Sequence, residues 1–229
     1  MATVYANSSD GSVGAGTTSW NGLHDASRGK NAYFTATHRD TAVLVSRSGG
    51  AYQIFRVFMD FDTSGITSAV SSATLKIYGK ANGTSDLIVV KGTNTGTDGN
   101  TYNDLDGWTS GYTDSNLTAL SSEVTSWSTS GYNDITLNSD ALTLMKNEDT
   151  FKIAILNHEY DYEDDVPADG VDVSAGMYFT QETGTDKDPY IDYTLAATGY
   201  GNAILGVASA NIGTVNGIAT ANVSKINGV

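Results

Sequence analysis

Within Ile54-Phe55-Arg56-Val57-Phe58-Met59-Asp60-Phe61-Asp62, the residues Phe55, Val57, Met59 and Phe61 recur at every second position, and Arg56, Asp60 and Asp62 fall between them. Side chains alternate across a strand, so this period fits a β-strand with one face in a core and the other toward water. No helix places those four residues on one side. On the polar face, Arg56 beside Asp60 and Asp62 reads as an ion pair that fixes strand register. Other runs rich in Val, Ile, Thr, Tyr and Phe lie at 74–78, 87–90, 132–137, 151–156, 176–181 and 190–195, separated by clusters of Gly, Asn, Asp and Ser. Such spacing is that of an all-β sandwich or barrel. Asn82-Gly83 lies between the 74–78 and 87–90 runs and predicts an antiparallel hairpin there. Residues 139–146 predict one short helix, capped by Ser139 or Asp140 and burying Leu142 and Met145. The long polar loop at 91–111 favours a jelly-roll β-sandwich over a minimal immunoglobulin-like domain. Its expected core is Phe55, Val57, Met59, Phe61, Leu75, Ile77, Ile153, Ile155 and Phe179.

Charge divides the chain. Residues 196–229 hold a single charged residue, Lys225, whereas 1–195 hold all 26 acids and 11 of the 12 Lys and Arg residues. The sequence therefore predicts a sandwich domain at 1–195 and a separate tail at 196–229. A net charge of −14 repels phosphates and anionic headgroups, which disfavours nucleic acid and acidic membranes as partners. With no cysteine, neither disulfides nor thiolate metal sites can support the fold. No stretch approaches the ~18 apolar residues of a membrane span. The start of the chain lacks the basic and apolar regions of a secretory signal, so synthesis in a cytoplasm without classical export is expected.

The tail is repetitive. Gly206, Gly217 and Gly228 are spaced by 11 residues, and Gly-Val-Ala-Ser-Ala-Asn-Ile-Gly-Thr-Val-Asn is followed by Gly-Ile-Ala-Thr-Ala-Asn-Val-Ser-Lys-Ile-Asn. Val207, Ile212, Val215, Ile218, Val223, Ile226 and Val229 recur in step, preceded by Ile204 and Leu205. On a helix of eleven residues per three turns they would share a face. Gly, Asn and β-branched residues each cost up to ~1 kcal/mol against Ala in a helix, which favours an extended or turn-rich form. Two repeats cannot bury such a strip alone. These nine residues are therefore the candidate assembly contacts, and a three-fold homo-oligomer is the expected state.

Arg56-Val57-Phe58-Met59-Asp60-Phe61-Asp62, followed by Ala73-Thr74-Leu75-Lys76-Ile77-Tyr78, resembles the central signature of DNRLRE-type domains, carbohydrate-binding-module-like jelly rolls of phage and bacterial surface proteins. Asp134-Ile135-Thr136-Leu137 with Phe151-Lys152-Ile153-Ala154-Ile155-Leu156, and Asp188-Pro189-Tyr190-Ile191-Asp192-Tyr193, are similar to its late strands. The tail units resemble repeats of tailed-phage virion proteins. Together these resemblances imply a non-enzymatic virion structural protein, a capsid decoration or fibre-type appendage on the particle's exterior, with other virion proteins and copies of itself as partners. The alternatives are a carbohydrate-binding adhesive module for host recognition, or an extracellular filament subunit. Either would place the chain outside the cell.

Chemistry-bearing residues are sparse. Asp161, Glu163, Asp164, Asp165 and Asp169 crowd one loop and form a candidate structural Ca²⁺ site of carboxylate and carbonyl oxygens, and no other cofactor is expected. Asp98, Asn100, Asp104 and Asp106 form a second oxygen-rich loop. Trp20, Trp108, Trp127 and Tyr112 lie in or beside Gly/Ser/Asp-rich loops, where rings could stack on sugars or simply fill the ends of the sandwich. There is no HExxH, nucleophile elbow, P-loop or GxGxxG before a helix, so no catalytic residues are assigned.

Overall fold

The computed structural model describes residues 1–93, 101–196, 214–215 and 218–219. The chain divides into two compact units, Met1–Thr194 and Leu195–Val229. The first is mostly antiparallel β. It contains β1 (Ala2–Tyr5), β2 (Gly11–Thr17), α1 (Trp20–His24), β3 (Asn31–Tyr33), β4 (His38–Ser48), β5 (Ala51–Asp62), β6 (Val70–Gly83), β7 (Leu87–Lys91), β8 (Tyr132–Thr136), α2 (Ser139–Asn147), β9 (Thr150–Asn157), β10 (Asp172–Tyr178) and β11 (Tyr190–Leu195). In the second unit, β12 (Thr214–Val215) pairs antiparallel with β13 (Ile218–Ala219). Among the described residues, no helix is long and apolar enough to cross a membrane.

Strand β5 organises the first unit. β2 runs along one of its edges from Tyr52 to Phe58. On the other edge, β4 pairs with Ala51 to Phe55 and β9 takes over from Val57 to Asp62. β10 bridges β4 to β6, β8 adds to β6, and β1 flanks β11. The sheet thus folds over on itself as a β-sandwich. Between its layers lie Val57, Met59 and Phe61 of β5, Leu75 and Ile77 of β6, Ile153 and Ile155 of β9, and Phe179. Phe55 is buried outside this cluster, tilted against Tyr33 and Arg39.

Three expectations are corrected. β5 is not half-buried: its opposite face, with Tyr52, Ile54 and Phe58, lies in a second core made with Val13, Ile88 and Leu156. Trp20 and Leu23 of α1 and Tyr102, Leu105, Tyr112 and Leu117 of the long loop cover that core, forming a third layer. Asn82-Gly83 turns no hairpin. β6 runs through it to pair with β10, and β7 pairs instead with β9. Gly83 serves close approach, because a Cβ there would sit 2.8 Å from the Trp127 carbonyl oxygen. Finally, α2 is capped one residue earlier than expected. Asn138 is extended, and its Oδ1 accepts from the amides of Asp140 and Ala141. Asn138→Ala should cost about 1 kcal/mol in chemical denaturation, since two first-turn amides lose their acceptor.

Candidate functional site

Arg56 projects from β5 into the second core and is fully buried. Its Nε donates to Asp161 Oδ2 at 2.9 Å and one terminal nitrogen donates to Oδ1 at 2.7 Å, a bidentate ion pair across 105 residues of sequence. The same guanidinium donates to the carbonyls of Tyr102 at 2.6 Å and His24 at 3.2 Å, and to the Tyr112 hydroxyl at 2.7 Å. The Tyr102 ring lies 4.1 Å from the guanidinium carbon. Burial works most strongly against the charge on Arg56, but Asp161 together with the Tyr112 and Tyr102 phenols outweighs it and holds the guanidinium well above its ordinary range. Burial likewise pushes the Tyr102 and Tyr112 phenols up.

Every element of the covering layer touches this group. His24 closes α1, Tyr102 and Tyr112 lie within the long connection between β7 and β8, and Asp161 sits in a single π-helical turn, His158–Tyr162, that follows β9. The N–H of His24 Nε2 donates to the Asp161 carbonyl at 2.9 Å, and Nδ1 lies 3.4 Å from Asp164 Oδ1. Trp20 stacks on His24 and donates its indole N–H to Asp164 at 2.8 Å. His24 in turn stacks on Tyr112, with ring centroids 4.1 Å apart. The constellation ties down a layer of structure. Among the described residues, no Ser or Thr hydroxyl bonds to His24 as a nucleophile would.

These contacts relocate the residues singled out from sequence. The ion pair expected between Arg56 and Asp60 or Asp62 is not formed. Asp60 is buried but accepts from Asn7 and Ser9, and Asp62 is exposed and accepts from Ser64. In the acidic loop Asp161 is taken by Arg56 and Asp164 by Trp20. Among the described residues, no group of three or more His, Asp or Glu side chains is placed to hold a metal. Trp20 and Tyr112 are buried in the network, and Trp127 is buried with its indole N–H on the Gly176 carbonyl at 3.0 Å. Trp108 is half-buried against the second core. None of Trp20, Tyr112 and Trp127 therefore offers a face to a sugar. Asp98, Asn100, Ile204, Leu205, Val207, Ile212, Val223, Ile226 and Val229 lie outside the described residues. Val215 of β12 pairs with Ile218 of β13.

What sequence reasoning missed is on the outer face of the sandwich. Tyr178, Tyr78, Tyr132, Tyr190 and Tyr5 follow one another with ring centroids 5.6, 5.2, 5.1 and 5.5 Å apart. Each belongs to a different strand: β10, β6, β8, β11 and β1. Tyr78 donates to the Ser130 carbonyl and Tyr132 to those of Asp186 and Asp188, so two of the rings are held at both ends. Partial burial, with neighbouring phenols and carboxylates, pushes the Tyr132 hydroxyl up to about 12. Lys187 Nζ lies 4.2 Å from the centre of the Tyr178 ring. No family model matches the chain, and no curated protein matches it.

Proposed function

We propose that the chain is a non-enzymatic structural protein of a tailed-phage virion, a capsid decoration or fibre-type appendage. In this reading a jelly-roll sandwich is displayed outward and residues 196–229 anchor or oligomerise it. The observation that carries the reading is in the tail. Ile218, one of the in-step aliphatic residues, is 55% exposed in β13. An aliphatic residue repeated in register and left open to solvent is a surface waiting for a partner. Full burial of each such side chain is worth about 1.5–3 kcal/mol, and symmetric copies add avidity. The division of the chain at Thr194 and Leu195 supports a tail that can be removed. The resemblances to DNRLRE-type domains and to virion repeats point the same way.

The test is truncation after Leu195. The shortened chain should keep the cooperative melt of the sandwich, run as a monomer and fail to enter particles. Normal incorporation, or loss of the melt, would overturn the assignment.

A further inference from the structure

Among the described strands, β8 pairs with β6 alone. The Leu137 amide donates to the Ala73 carbonyl, and the Gly131 carbonyl accepts from the Gly79 amide, so the odd-numbered residues along β8 turn their backbone groups toward β6. Antiparallel ladders alternate, and the amides and carbonyls of Asp134 and Thr136 therefore point the other way. Among the described residues no backbone group answers them. Instead, a cavity of about 480 Å³ separates β8 from residues 122–126.

This slot is held open. Its far wall is tied to β7, because Val124 and Leu87 exchange both backbone hydrogen bonds. One end is pinned where Ser121 bridges Leu137, and the other where the Asn133 side chain accepts from the Ser128 amide and donates to its carbonyl. Between residues 133 and 137, β8 advances by roughly 13 Å at about 3.3 Å per residue. An unpaired edge of that length is a template for one more strand.

We propose that the slot receives an extended segment of residues 206–227 from a second copy of the chain, by strand addition. The inference rests on the reading of 196–229 as the oligomerising element and gives that element its receiving site. Two features of the tail select it as the occupant.

The first is its pattern at period two. Ala208, Ala210 and Ile212 alternate with Ser209 and Asn211, and the second repeat places Ala219, Ala221 and Val223 around Thr220 and Asn222. On a strand, each unit turns two small residues and one branched aliphatic to one face and short hydrogen-bonding residues to the other. The slot offers a surface for each. Ile135 and Leu137 of the first core, with Val124 packed against that core, bound its inner side, and the exposed Asp134 and Thr136 form its outer rim.

The second is charge. Glu123 lines the slot, and the domain around it carries 26 acids against 11 Lys and Arg residues. A strand bearing carboxylates would be repelled. Residues 196–229 contain no acid, and their one charge is the positive Lys225. Each copy then donates one segment and accepts one, a head-to-tail contact that closes into a ring.

The chain has no cysteine, so introduced thiols report contacts between copies without background. A Thr136→Cys chain is mixed with a size-tagged full chain carrying Ser209→Cys, Asn211→Cys, Thr220→Cys or Asn222→Cys. At least one of the four should form a disulfide-linked heterodimer under mild oxidation, whereas Ala210→Cys and Ala221→Cys, on the opposite face of the added strand, should not. Sedimentation of the full chain gives a second readout. Thr136→Pro removes the outward amide and leaves the β6 ladder intact, so it should raise the dissociation constant for self-association at least about tenfold with the cooperative melt retained. If the proline disturbs the melt, Ala210→Glu/Ala221→Glu, which leaves the first unit unaltered, decides in its place with the same expected loss. The proposal is overturned if the full chain is monomeric, if no outward position links, if the alanine positions link equally well, or if self-association survives these substitutions. Truncation after Leu195 that still blocks particle entry would in those cases leave the tail its assembly role and remove only the slot.

Discussion

Asp161→Asn is expected to destabilise the first unit by about 3–5 kcal/mol, because it leaves the Arg56 guanidinium buried and charged with no counter-ion. Against a total stability of about 5–15 kcal/mol, that is a third or more of what holds a domain folded. Arg56→Met should cost a similar amount for a different reason: it strands the Asp161 carboxylate and the carbonyls of His24 and Tyr102. The double variant Arg56→Met/Asp161→Leu separates the two effects. Replacing a buried ion pair by apolar residues is often neutral, so a simple pair would be rescued completely. Here the two carbonyls still lack donors at about 1–3 kcal/mol each, so rescue should be partial. Urea denaturation of all three variants gives the coupling, and Trp20 fluorescence reports whether the covering layer detaches first. A loss below about 1 kcal/mol for Asp161→Asn would show that the layer is held by its apolar contacts alone.

That network also explains which parts of the fold the sequence reveals. The first core is legible because its strands alternate: Val57, Met59 and Phe61 stand at period two, and so do Leu75 and Ile77 and again Ile153 and Ile155. The second core is hidden by one residue. Arg56 sits among Tyr52, Ile54 and Phe58, and a charge in that place reads as water-facing. Its partner is 105 residues away, and no local pattern connects them. Asp161 is indeed a ligand for a cation, but the cation is Arg56. The aromatic residues divide similarly. Trp20 and Tyr112, in loops that look exposed, are drawn inward by the uncovered face of β5. Tyr78, Tyr132 and Tyr190 have outward phase opposite Ile77, Asn133 and Ile191, which the sequence carries. The register that lines them up with Tyr5 and Tyr178 is set by non-local pairing.

A second large effect concerns pH. Asp10, between β1 and β2, is completely buried, and burial pushes its carboxyl up to about 6 despite hydrogen bonds donated by the Thr180 hydroxyl and amide. The nearby Asp188 carboxylate adds to the rise. Below the ordinary value of 3.8 the group is protonated in both folded and unfolded chains and costs nothing. Between that value and about 6, the folded chain keeps a proton that the unfolded chain has released, so stability falls as pH rises. The deficit is complete above about 6 and amounts to roughly 3 kcal/mol by the value of a pKa unit. Asp10→Asn removes the titration and keeps one oxygen to accept from the Thr180 hydroxyl, but sets an NH₂ opposite the Thr180 amide, which returns about 1 kcal/mol of the gain. The variant should therefore be less stable than the unaltered chain at pH 3.5 and more stable at pH 7.5. The crossing lies between 3.8 and about 6, where Asp10 is protonated in the folded chain and ionised in the unfolded one. Chemical denaturation at half-unit steps of pH measures the difference directly. Parallel stability curves for the two chains would mean that Asp10 stays ionised in the fold, and that the Thr180 donors outweigh its burial.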